Sequence, residues 1–125
     1  MSERRTRILL VEMPRLLSDI LKDLISAEPD IEVAGEALTR DGLLALAERT
    51  RCDIVVLGSD RSEPPPEGLA LLEALPHVRL IGVSSDGRSL FLYERGRRQT
   101  PLGQMSPREL LSVIRASVRA DASPE

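Results

Sequence analysis

Arg51-Cys52-Asp53-Ile54-Val55-Val56-Leu57-Gly58-Ser59-Asp60 is the stretch on which the fold turns. Ile54 to Leu57 are all apolar and too few for a helix, which is the pattern of a strand buried on both faces of a parallel sheet. The run stops abruptly in polar residues. In doubly wound sheets the ligand or catalytic crevice opens just beyond the carboxyl ends of such strands, so chemistry is expected at Gly58 to Asp60. The residue at the strand end is a glycine.

Outward from this strand, β and α signals alternate. Arg7-Ile8-Leu9-Leu10-Val11-Glu12 is a second short apolar run, closed by a carboxylate, and Pro14 marks a helix entry. Leu17, Ile20, Leu21, Leu24 and Ile25 then recur at helical spacing until Pro29. Ile31 to Glu36 alternates apolar and polar, as an edge strand does. A second helix is expected from about Arg40 to Thr50, buried through Leu43, Leu44, Leu46 and Ala47. Pro64-Pro65-Pro66 predicts a stiff extended loop, followed by a third helix over Leu69 to Leu75 and a strand over Val78 to Val83. This order predicts an α/β fold with a parallel sheet covered on both sides.

The regular pattern then breaks. A further helix is due after Val83, but Leu90 to Glu94 has strand character, Arg95-Gly96-Arg97 can turn, and Gln99 to Leu102 can return. We therefore expect a β-hairpin in place of helix four. Ser106-Pro107-Arg108-Glu109 is a helix-start signature, continued by Leu110, Leu111, Ile114 and Val118.

Composition narrows the function classes. The 125 residues, 42% of them hydrophobic, suit one compact domain, expected over 1–120, with 121–125 a tail or the start of a linker. Seventeen basic against twenty acidic residues leave a net charge of -3, which gives no electrostatic footprint for nucleic acid. The single Cys52 excludes an internal disulfide, and no apolar run is long enough for a membrane span, so a cytoplasmic location is expected. His77 has no second His or nearby Cys to form a metal site with, and Cys52 sits where packing, not reactivity, is the expectation.

Several local strings, taken with the order of elements, resemble the receiver domain of bacterial response regulators in two-component signalling. They are Ile8-Leu9-Leu10-Val11-Glu12-Met13, Leu16-Leu17, Glu28 to Ala37, and Ser106-Pro107-Arg108-Glu109-Leu110-Leu111, and the likeness runs from about Arg7 to Val118. It implies a doubly wound, flavodoxin-like parallel sheet in the order 2-1-3-4-5. It also implies transfer of a phosphoryl group to an Asp at the end of strand three, assisted by Mg2+ on an acidic pair after strand one. In this chain the acidic pair falls on Glu12 and Met13, the acceptor on Gly58, the hydroxyl position on Ser84, and the Lys position on Gly103.

Glycine carries no nucleophile, and a thioether is a poor ligand for hard Mg2+. The expectation is a degenerate pseudo-receiver that is not an enzyme, holds no metal or cofactor, and acts in signalling through protein contacts, with a foreign partner or as a homodimer. Membrane and nucleic acid are not expected partners. Leu90, Phe91, Leu92 and Tyr93 are the interface candidates, on the premise that a hairpin cannot bury both faces against one small core; filling the space of the missing helix is the alternative for Phe91 or Tyr93. Two other functions remain open: a small-ligand or nucleotide sensor using the vacated crevice, and a phosphoacceptor using Asp60, two residues beyond Gly58.

Overall fold

The computed structural model describes residues 5–59, 65–84, 89–93, 100–104, 108–109 and 111–112, with 100–104 described for the backbone only. Its elements are β1 (Thr6–Val11), α1 (Arg15–Ser26), β2 (Ile31–Ala37), α2 (Leu43–Thr50), β3 (Ile54–Gly58), α3 (Pro66–Ala74), β4 (Arg79–Val83), β5 (Ser89–Tyr93) and β6 (Thr100–Gln104). They form one six-stranded sheet in the order β2-β1-β3-β4-β5-β6. The first five places match the expected order, and the outer arm of the expected hairpin adds the sixth. Helical backbone at 108–109 and 111–112 agrees with the start of the expected last helix, the rest of which lies outside the described residues.

The strand order follows from burial. Ile54, Val55, Val56 and Leu57 are inaccessible to solvent, and so are Ile8, Leu9, Leu10 and Val11 of the neighbouring β1. The two strands pair in parallel, Ile8 opposite Ile54 through Val11 opposite Leu57. Because side chains alternate across a strand, each feeds both faces. Ile8, Leu10, Ile54 and Val56 join Leu17, Leu21 and Ile25 of α1 on one face. Leu9, Val11, Val55 and Leu57 join Leu43 and Ala47 of α2 and Leu71 and Leu72 of α3 on the other. Full burial of such a side chain contributes about 1.5–3 kcal/mol, which makes these two strands the least replaceable part of the chain. β2, with one fully buried residue at its start, is the edge strand its alternation suggested.

Two helix starts differ from the sequence reading. α2 begins at Leu43, not Arg40, because Gly42 takes a left-handed conformation (φ 70°) and holds the preceding residues in a loop. α3 begins at Pro66, so the third proline is the first helical residue; its missing N–H is one the first turn would leave unbonded anyway. Residues 61–64 of the loop lie outside the described set.

The sheet is parallel only through β4. β5 runs antiparallel to β4, and β6 antiparallel to β5, so β6 regains the direction of the first four strands. The expected hairpin is therefore inserted in the sheet, with β5 between two neighbours. The premise that it must expose one face is corrected. Leu90, with Leu92 packed beside it, joins the α1-side core; Tyr93, with Phe91 beside it, joins the opposite core. Leu90 and Tyr93 are 2% and 1% exposed, and Phe91 and Leu92 are half-buried. An inserted strand meets apolar side chains on both faces, whereas an appended one would not.

Tyr93 takes its place only because residue 82 has no side chain. A Cβ built at Gly82 would lie 2.6 Å from Tyr93 Cε2 and 2.8 Å from its hydroxyl oxygen. We expect Gly82→Ala to lower stability by about 1–3 kcal/mol through overpacking, read as a reduced urea midpoint at unchanged slope.

Candidate functional site

The carboxyl ends of β1 and β3 meet where the sequence placed the crevice. β1 ends at Val11, and Glu12 follows in a left-handed conformation (φ 53°), which is uncommon for a residue with a side chain. Its N–H donates to the Ala37 carbonyl at 2.9 Å, tying the turn to the end of β2. In this conformation the Glu12 main chain lies against Gly58. A Cβ at residue 58 would sit 2.1 Å from the Glu12 carbonyl oxygen, 3.0 Å from its carbonyl carbon and 3.4 Å from Met13 Cα. These neighbours are backbone, so the place that any side chain at residue 58 would take is filled by β1's own continuation. Met13 turns aside and packs against the α1-side core.

The Glu12 side chain is fully engaged. Its Oε1 accepts from Arg40 Nη2 at 2.6 Å and from Arg40 Nε at 3.1 Å, and its Oε2 accepts from the Arg40 backbone N–H at 2.9 Å. This is a forked guanidinium–carboxylate pair with about a quarter of each side chain exposed. The hydrogen bonds from Arg40 hold the Glu12 carboxyl below its ordinary value, outweighing the opposing effect of partial burial. The same contact raises the Arg40 value, and the charge of Glu67 acts in the same direction. Arg40 was missed at the sequence level because it was placed as the first residue of α2. Its backbone N–H can reach Glu12 only because the helix starts three residues later, and Gly42 was the available signal.

The remaining positions are scattered or otherwise used. Ser84 follows β4; its hydroxyl accepts from the Ser89 N–H at 3.0 Å, and its own N–H donates to the Ser89 carbonyl at 3.0 Å, closing the β4–β5 connection. Gly103 lies on β6 opposite Leu90, which lies opposite Val83, which lies opposite Gly58. Three strand spacings therefore separate Gly103 from Gly58, about 14 Å at a usual spacing near 4.8 Å. In the order 2-1-3-4-5 without the extra strand there would be two. Asp60 lies outside the described residues.

Beside Gly58, Ser59 is buried, and its N–H donates to the Val83 carbonyl at 2.8 Å. Its side chain hydrogen-bonds the Tyr93 hydroxyl, while burial pushes that hydroxyl above its ordinary value. Among the described residues no three His, Cys, Asp or Glu side chains gather in a way that could hold a metal ion. A groove of about 230 Å³ lined by Arg5, Lys22, Ile25 and Ile31 lies at the other end of the strands.

Mg2+ requires near-octahedral oxygen coordination and is usually held by one or two carboxylates. At this crevice one carboxylate is held on both oxygens by Arg40, the next residue offers sulfur, and the third offers no side chain. The residues do not fit the ion.

Two outcomes follow from this packing. Gly58→Ala, and more so Gly58→Asp, should destabilise by about 2 kcal/mol or more, since backbone must move to admit the Cβ, with chemical denaturation as the measurement. Because the folded Glu12 carboxyl lies below its ordinary value of 4.5, its contribution is complete above that pH and is lost as pH falls through the folded value. Glu36 is held low in the same sense by Lys22 and Ser18. Glu12→Gln should therefore cost about 1–2 kcal/mol at pH 7 and much less near pH 3, leaving a shallower acid dependence in a urea series.

No family model matches the chain. In sequence it is similar to the uncharacterized transcriptional regulatory protein YxjL of Bacillus subtilis, 26% identical over 130 residues that cover 98% of this chain and 58% of that protein. It is 32% identical over 114 residues to the nitrate/nitrite response regulator protein NarL of Escherichia coli, covering 86% of this chain and 52% of the relative. It is also 33% identical over 90 residues to a protein-glutamate methylesterase/protein-glutamine glutaminase of Pyrococcus abyssi, covering 67% of this chain and 24% of that protein. The chain spans about half or less of these relatives' lengths. Among solved structures, the response regulator domain of Thermotoga maritima CheB matches with a TM-score of 0.59 at 22% identity, over 97% of this chain and all of that one. A LuxR-family two-component response regulator from Aurantimonas matches with a TM-score of 0.63 at 18% identity, over 93% and 86% of the two chains. With β1, β3 and the crevice between them arranged as described, the chain has the fold of a response-regulator receiver domain, and its relatives and structural neighbours carry such domains.

Proposed function

We propose that this chain is a receiver-type signalling module that works without phosphorylation, through contacts with another protein. The observation that carries the reading is the approach of the Glu12 carbonyl to Gly58, which leaves no room for an acceptor side chain at the end of β3. An acyl phosphate needs a carboxylate held in line with the donor, and an error of about 1 Å in such positioning can cost a hundredfold in rate. The place of that carboxylate is filled by main chain. The same packing argues against an enzymatic role, since it fills the place of a reacting side chain at residue 58.

A module with no chemical input transmits by being bound. The half-buried Phe91 and Leu92 belong to the inserted hairpin, and Leu16, Leu38 and Leu69 are exposed apolar side chains on α1, the β2–α2 loop and α3. Apolar side chains wholly or partly open to water on several elements suit a protein partner, a second copy included. Among the described residues no helix is long and apolar enough to cross a membrane, and with a net charge of -3 the chain has no excess of cations for nucleic acid. The proposal places it in the cytoplasm of a bacterium, as one domain over 1–120.

The test is intact mass after incubation with acetyl phosphate and Mg2+, with Asp60→Asn alongside. No adduct is expected. A labile phosphate adduct on the wild type would overturn the reading, and its loss in Asp60→Asn would assign the acceptor.

A further inference from the structure

The receiver fold ordinarily calls for a cation where β1 and β3 end, and here the chain brings its own. We propose that the guanidinium of Arg40 is the resident cation of this crevice, standing on Glu12 in place of a divalent ion and making the crevice indifferent to Mg2+. This deepens the reading above and rests on it for the location of the crevice.

Three features carry the inference. Both Glu12 oxygens are already acceptors, Oε1 of two guanidinium N–H groups and Oε2 of the Arg40 main-chain N–H, so an ion bound to either must displace a charge-assisted donor. The pair is also neutral as it stands. A divalent ion added beside it would face one negative and one positive charge with no second carboxylate from Met13 or Gly58 to share it. Finally, Arg40 is held from more than one side. Its loop is set by the left-handed Gly42, and the charge of Glu67 favours the guanidinium as Glu12 does.

The arrangement also joins two connecting segments at the crevice end of the sheet, Glu12 in the β1–α1 turn and Arg40 in the β2–α2 loop. In an ordinary metal site an ion would gather such elements only when present. A covalently attached cation gathers them permanently, so the crevice end of the sheet is held in one arrangement whatever the ionic conditions.

Mn2+ serves as the probe, because it takes similar oxygen ligands to Mg2+ and its binding is read directly by electron paramagnetic resonance at fixed ionic strength. Wild type, Glu12→Gln, Arg40→Gln and Arg40→Ala are compared, each first shown to be folded by circular dichroism. Wild type is expected to show no saturable Mn2+ binding and a melting temperature unchanged by about 10 mM MgCl2 at constant ionic strength. Arg40→Gln or Arg40→Ala leaves the one carboxylate free and is expected to gain weak Mn2+ binding that disappears when Glu12→Gln is added. Saturable Mn2+ binding by wild type that Glu12→Gln removes would overturn the proposal. So would a folded Arg40 variant that stays blind to Mn2+, since the guanidinium would then not be what excludes the ion. The wild-type arm decides even if both Arg40 variants fail to fold. A phosphate adduct in the mass experiment would remove the phosphorylation-independent reading while this titration still judged the resident cation by itself.

Discussion

The close approach of the Glu12 main chain to Gly58 is the constraint on which the crevice depends. It requires a residue without a Cβ at the end of β3, and a left-handed Glu12 at the end of β1. Neither condition is useful without the other. An alanine at 58 would push the turn away, and a relaxed turn would leave a gap beside the apolar ends of two buried strands. The close fit of main chain against Gly58 is coherent packing between the ends of β1 and β3.

The second condition is electrostatic. A carboxylate at the end of β1, drawn into a closed crevice, needs a partner, since unpaired burial of charge is costly. Arg40 meets this with three hydrogen bonds, two from the guanidinium and one from the backbone. About a quarter of each side chain remains in contact with water, so the desolvation cost is moderate. Closure at Gly58 and neutralisation at Glu12 therefore support one another, one sterically and one by charge.

The inserted strand shows the same economy on the other side of the sheet. With β5 between β4 and β6, Gly103 lies three strands from β3. Tyr93, opposite Leu80, lays its ring over Gly82 and bonds Ser59 next to Gly58 through its hydroxyl. Two glycines thus receive neighbouring groups, Gly58 a carbonyl and Gly82 an aromatic ring. Of the four hairpin residues that were candidates for a contact surface, Leu90 and Tyr93 are committed to the two cores by this insertion, and Phe91 and Leu92 remain partly open.

The resemblance to receiver domains supplied the strand order; the sequence by itself determined the buried central strand, the edge character of β2 and the hairpin. These follow from local patterns: Ile54 to Leu57 is apolar throughout because both faces are covered, Ile31 to Glu36 alternates because one face is not, and a missing helical period after Val83 is visible as such. What only the tertiary structure decided is how those residues meet. That Gly58 is filled by the Glu12 carbonyl depends on two strands distant in sequence lying side by side. That Arg40 neutralises Glu12 depends on a loop whose helix begins three residues later than its composition suggests. That Tyr93 is buried depends on β5 being flanked, because a strand's exposure is set by the number of neighbours it acquires, which no property of its own five residues records.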